Sequence, residues 1–138
     1  MLGWDPSESW ASYVRKLENN RHGIDLPSGW VPSTFLGAFL AAELVGRVSI
    51  RHELNDFLLN FGGHIGYCVR PAHRRRGFAG EILGHGLIVA RAEGVDRVLV
   101  TCDEDNLASA RVIERHGGVL EDVRAQPDGP PRRRYWID

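Results

Sequence analysis

One junction constrains this chain more than any other: "HIGYCVRPAHRRRGFAGEILGHGLIVARAEG", residues 64–94. A β-like run is stopped by Pro71, and a helix-like run begins at Gly77, with Arg74, Arg75 and Arg76 directly against the glycine. Phe78, Ile82, Leu83, Leu87 and Ala90 recur at helical spacing to about Glu93, and Gly94 ends the helix. Gly66 inside the strand predicts a bulge or a close backbone approach. Gly80, Gly84 and Gly86 weaken a helix by roughly 1 kcal/mol each against alanine. They fit a helix against which a strand or a ligand packs closely.

Such a junction suits an anion. A helix N-terminus offers unpaired N–H groups and the positive end of the helix dipole. A turn before it can aim several N–H groups into one concavity. Gly77 frees the backbone there, and three guanidinium groups add charge, so phosphate is the expected guest; a solvated basic turn is the alternative. The cluster is local, because the whole chain of 138 residues carries a formal charge of only -1. A general affinity for nucleic acid or acidic membranes is therefore not expected. Neither G-x-x-x-x-G-K-[ST] nor G-x-G-x-x-G after a strand occurs.

The rest of the chain gives the order α-β-β-β-α-β-α-β-β, an α/β arrangement read as one domain over residues 1–138. The first helix is expected from Asp5 as cap, Pro6 and Glu8, with Trp10, Tyr13, Val14 and Leu17 on its apolar face. Thr34 to Leu40 and Val45 to Leu54 read as a hairpin around "AAEL", and "NDFLLNFGG" as a loop with at most one helical turn. "VDRVLVTCD" is a buried strand. "DNLASARVIERHG" is a helix capped by Asp105 or Asn106 and stopped by Gly117. "VLEDVRA" and "RRRYWID" form the last strands. Cys68 and Cys102 read as two core thiols of a cytosolic protein. The polar start "MLGWDPSESW" does not look like a signal peptide, and no membrane span or metal site is expected. The expected location is cytoplasmic.

With these pieces placed, the chain from about Thr34 to Asp138 resembles the GNAT superfamily of N-acetyltransferases. Arg74 to Ala79 fits its [QR]-x-x-G-x-[GA] signature. "DNLASARVIERHGG" looks like its N-x-x-S/A-x-x-x-x-E-x-x-G helix through Asn106, Ser109, Glu114 and Gly117, and "LVGRVSIRHEL" like its V-G strand. The resemblance implies a mixed, mostly antiparallel twisted sheet whose parallel central strands splay apart, flanked by helices. It implies acetyl-CoA as co-substrate, with no metal. Arg74, Arg75, Arg76, Gly77, Phe78, Ala79 and Gly80 would receive the pyrophosphate; Tyr67, Cys68 and Val69 the pantetheine and thioester; Asn106 and Ser109 the arm from the other side. The N-terminus is read as shortened relative to the family.

The implied reaction is direct attack of an amine on the thioester, giving an N-acetyltransferase for a primary amine of a small molecule or peptide. Backbone N–H groups near Cys68 and Val69 would stabilise the oxyanion. His64 is the first choice of base against a purely structural histidine, with Glu53 and His52 next. Many relatives carry a tyrosine seven residues after the helix asparagine to protonate the thiolate; here that residue is Ile113. Ser109 or water would serve instead, with Tyr135 more plausibly in the core. Other readings are a catalytically weak acyl-CoA-binding module and an RNA- or phosphate-binding domain. The acceptor's identity is open. A homodimer is an option common in the family.

Overall fold

The computed structural model describes residues 4–138; the first three residues of the polar opening segment lie outside them. The element order matches the sequence reading. Helix α1 (Trp10–Arg21) precedes the hairpin β1 (Ser33–Leu40) and β2 (Glu43–Arg51). A π-helical turn (Leu58–Gly62) leads to β3 (Ile65–Val69), and a 3-10 turn (Pro71–His73) to α2 (Phe78–Ala92). Then come β4 (Val98–Asp103), α3 (Leu107–Arg115), β5 (Val119–Gln126) and β6 (Gly129–Ile137).

The six strands form one sheet in the order β1-β2-β3-β4-β6-β5. Every neighbouring pair is antiparallel except β3 and β4, which are parallel and share a single pairing, Ile65 with Val100. Beyond it the two strands part, so the sheet opens at its centre. On one face, Val48, Ile50, Ile65, Val98 and Val100 pack against Leu83 and Leu87 of α2 and Ile113 of α3. Burial of each such side chain contributes about 1.5–3 kcal/mol. Gly86 lets α2 settle there, since a Cβ on it would stand 3.2 Å from Val48. Gly80 and Gly84 face His116 at the end of α3.

Three expectations change. First, α1 starts at Trp10 with Ser9 as N-cap, whose hydroxyl accepts from the Ser12 N–H. Asp5 instead accepts from the Ser7 amide and hydroxyl, and Glu8 pairs with Lys16. Only Tyr13 of the proposed apolar face is buried; Trp10 and Val14 are exposed. Second, β2 ends at Arg51 rather than Leu54. Third, Cys102 is buried but Cys68 is exposed, because it faces away from the α2–α3 layer.

Basic side chains of β6 fix the π-helical turn to the sheet on the opposite face. Arg134, 1% exposed, donates to the Leu59 carbonyl at 2.9 Å and pairs with Glu121 and Asp122. Arg132 and the Thr101 hydroxyl both donate to the Phe61 carbonyl, at 3.2 and 2.6 Å.

Candidate active site

The opening between β3 and β4 continues into a cleft of about 840 Å³, large enough for an extended ligand. β3 lines one side, the turn after it and the first turn of α2 the end, and α3 the other side. Arg74, Arg75, Arg111 and Arg115 stand around it, and none of its lining residues is acidic.

Register decides which backbone groups face the opening. The Arg70 N–H donates to the Val45 carbonyl and the Arg51 N–H to the His64 carbonyl, so between these bonds residues 66 and 68 direct their polar groups at β2. The N–H and C=O groups of Tyr67 and Val69 therefore face the gap. Cys68 does not offer its N–H there, which corrects one of the two expected oxyanion donors. Nor is β3 bulged, since its pairing with β2 is regular from Ile65 to Val69. Gly66 is instead a close approach: a Cβ there would stand 3.2 Å from the Arg51 guanidinium.

The arginine turn brings positive charge and open backbone N–H groups to the start of α2. Arg75 has φ 62° and Gly77 φ 82°, two left-handed residues within three that curl the chain tightly ahead of α2. Gly77 caps α2 without a side-chain hydrogen bond, leaving first-turn N–H groups directed at the cleft. The Arg74 side chain donates to the Val69 carbonyl at 3.2 Å and ties the turn to β3. Arg76 departs from expectation. It lies over the Phe78 ring, 5.2 Å from the centroid, and touches His73 at 3.4 Å; it does not line the cleft. His73 in turn reaches Glu43 at 3.1 Å. Arg111 and Arg115 take up the charge from α3. Their i, i+4 spacing, on the side that carries Val112, was visible in the sequence.

Asn106 caps α3 by accepting from the Ser109 N–H at 3.1 Å. The Ser109 hydroxyl meets the Tyr67 hydroxyl at 2.9 Å, spanning the cleft between α3 and β3. Burial raises the Tyr67 pKa, against the opposing effect of its bond to Ser109, so the phenol keeps its proton at neutral pH. Ile113 is fully buried in the core, and the Tyr135 hydroxyl is held by Glu114 at 3.0 Å. Tyr135 is thus a core residue.

The candidate bases are placed elsewhere. His64 is 6% exposed; its ring Nδ1 accepts the Leu99 N–H at 2.9 Å, and its backbone N–H donates to the Leu99 carbonyl at 2.7 Å. The neutral ring then carries its proton on Nε2, and neither nitrogen is free to take another. Burial, then the nearby Arg51 charge, lower its pKa to about 4. His64 clasps β3 to β4 just before they part. Glu53 is exposed beyond the end of β2 and does not line the cleft, because the strand has already ended at Arg51. His52 bonds Thr34 at 2.8 Å.

The His64 clasp predicts a stability profile. The unfolded ring takes a proton near pH 6.5 and the folded one only near 4, so the folded state loses stability as pH falls between these values. The loss is at most about 3 kcal/mol. Urea unfolding at pH 7 and pH 4.5 should show this decline in the wild type. His64→Gln should be less stable at pH 7 and lose less on acidification; an unchanged slope would refute the clasp.

A family model described as an acetyltransferase (GNAT) domain matches residues 3–119, from before α1 to the start of β5. The chain belongs to the GNAT family. Solved GNAT-like structures share its fold. A GNAT-family protein from Bordetella pertussis superimposes with a TM-score of 0.66 and 21% identity, over 100% of this chain and 82% of its own. YncA of Salmonella typhimurium, solved with acetyl-CoA, gives 0.60 and 17%, over 77% of this chain; the match spans 64% of YncA's length. The ribosomal L7/L12 α-N-protein acetyltransferase RimL, solved with coenzyme A, gives 0.65 and 20%, over 91% of this chain and 70% of its own. Sequence comparison with curated proteins gives no match. Among the described residues, no cluster of three or more His, Cys, Asp or Glu is placed to hold a metal, and no helix is long and apolar enough to cross a membrane.

Proposed function

We propose that the protein transfers the acetyl group of acetyl-CoA directly to a primary amine. The observation that carries this reading is the parting of β3 from β4 into an arginine-rimmed cleft that ends on the open N-terminus of α2. The N–H and C=O of Tyr67 and the N–H of Val69, whose carbonyl already accepts from Arg74, suit an amide-bearing arm that pairs like an added strand. Arg74, Arg75, Arg111, Arg115 and the N–H groups following Gly77 suit a pyrophosphate.

In the reaction the amine nitrogen bonds to the thioester carbonyl carbon, the C–S bond breaks, the nitrogen loses a proton and the sulfur gains one. Tyr67 is the group we assign to the sulfur. Its raised pKa keeps a proton available, and Ser109 orients the hydroxyl and can relay. It stands in for the hydroxyl that Ile113 lacks. The Val69 N–H is the backbone donor left for the oxyanion. With His64 and Glu53 unsuited as bases, the amine's proton passes to water.

Release of free thiol with a panel of amines tests the transfer. Tyr67→Phe should lower kcat roughly 100-fold, the ordinary contribution of a general acid, while calorimetry still shows acetyl-CoA binding. An activated aryl thioester, whose leaving group needs no proton, should recover most of that loss. The rate should rise about tenfold per pH unit below the amine pKa of roughly 10, without a plateau set by a base near 6.5. A defect equal for both thioesters would remove Tyr67 as the acid. The unsuitability of His64 and Glu53 as bases also favours a second reading, an acyl-CoA-binding module. Tight acetyl-CoA binding with no thiol release across the panel would establish that one.

A further inference from the structure

On the opposite face of the sheet, toward α1, lies a second cavity of about 180 Å³. Trp30, Phe35, Phe57 and Leu58 give it apolar walls, and Arg51 enters it. That guanidinium has no carboxylate partner among the described residues. Its two recorded contacts, the carbonyls of Gly62 and Gly63 at 3.4 and 3.5 Å, lie at the outer limit of hydrogen bonding. Arg47 and Arg132 are near enough to act on its charge, so the local field is positive. No acidic residue lines the cavity.

Two further polar groups line it. Asn20 is 8% exposed and Ser49 is 6% exposed, and both line the cavity. Neither side chain makes a hydrogen bond among the described residues. Among the described residues no side-chain polar atom cut off from solvent lacks a partner, so the polar atoms of Asn20 and Ser49 reach the solvent of this cavity, and a ligand that displaces that water must replace its hydrogen bonds. The position is also telling. Ser49 stands opposite Gly66 on β3, and the Arg51 guanidinium lies against Gly66, the residue between the last β3–β4 pairing and Tyr67. The cavity therefore adjoins the strand at which the cofactor-sized cleft opens from the other face.

We propose that this cavity holds the acceptor, and that the acceptor is a small amine bearing a carboxylate and an apolar body, of free amino-acid type. Arg51 receives the carboxylate through its planar fork, Asn20 and Ser49 supply the remaining hydrogen bonds, and the aromatic walls take the side chain. The positive field disfavours polyamines. The volume, about 180 Å³, suits a small molecule rather than a peptide segment. This proposal rests on the acetyl-transfer reading above.

The test compares L-phenylalanine, L-leucine and L-methionine with their decarboxylated twins as acceptors, rates being taken per mole of free amine. In parallel, N-acetyl-L-phenylalanine and N-acetylphenethylamine are titrated into the protein with CoA present. Each amino acid should exceed its twin at least tenfold in kcat/KM, and only the carboxylate-bearing acetyl compound should bind. Arg51→Gln should bring both ratios toward one with CoA affinity unchanged, and Arg51→Lys should restore part of them. Twins that react equally well or better overturn the proposal and leave acetyl transfer standing. Carboxylate-dependent binding without turnover of any amine keeps the pocket and removes the transfer. If neither acetyl compound binds and neither series reacts, both fall.

Discussion

Gly77→Glu is expected to raise the dissociation constant for acetyl-CoA more than 100-fold in a protein that still folds. No atom lies within 4 Å of a Cβ built on Gly77, so the new side chain meets no steric wall. Its effect is electrostatic and conformational. The carboxylate would lie at the open N-terminus of α2, where it would satisfy the dipole and N–H groups that otherwise await phosphate. A charge-assisted hydrogen bond is worth about 1.5–3 kcal/mol, so losing it and adding like-charge repulsion exceeds the roughly 2.7 kcal/mol of a 100-fold change. Gly77→Ala separates the two causes. It keeps the site uncharged and imposes only left-handed strain of about 1–2 kcal/mol, part of it felt by the free protein as well. Its affinity should fall less than tenfold. Arg75→Glu, at the other left-handed residue, should behave like Gly77→Glu. Calorimetric titration reads all three, with circular dichroism confirming the fold. A Gly77→Glu protein that binds acetyl-CoA within threefold of the wild type would place the phosphates elsewhere.

That turn was legible in the sequence because its determinants are consecutive: a proline stop, a glycine start and arginines between. The order of elements was legible for the same reason, and so was the Asn106 cap, which acts three residues away. What escaped the sequence depends on partners far along the chain. His64 looks like an ordinary base until Leu99, 35 residues on, occupies its Nδ1. The Tyr67–Ser109 pair joins residues 42 apart. The unpartnered state of Asn20 and Ser49 is a property of α1, β2 and the π-helical turn together. The start of α1 failed for a local reason: Asp5 and Ser9 both suit a cap, and Asp5 closes its own turn on Ser7. Cys68 could have been placed by strand alternation. With Tyr67 and Val69 facing α2 and α3, the residue between them faces the other way.

Gly46→Ala is expected to be the most damaging single-methyl change, lowering the melting temperature by roughly 10 °C for an overpacking cost of about 2–3 kcal/mol. A Cβ on Gly46 would stand 2.5 Å from the Cys68 carbonyl oxygen and 2.8 Å from Ile82 Cδ1. The second contact involves the end of a flexible side chain, but the first is backbone. β3 must therefore move away from β2, and it can move only toward the gap. Tyr67 and Val69 face that gap, and Arg74 hangs from the Val69 carbonyl. Loss of stability should therefore come with a loss of acetyl-CoA affinity, about tenfold, although Gly46 itself lines neither cavity. Adding Ile82→Val to the same chain relieves the side-chain contact and leaves the backbone one. It should recover only a minor part of the stability and none of the affinity. Full recovery by Ile82→Val would mean that α2, not β3, absorbs the added methyl. The width of the opening would then be set by helix packing rather than by the close approach of β2 to β3.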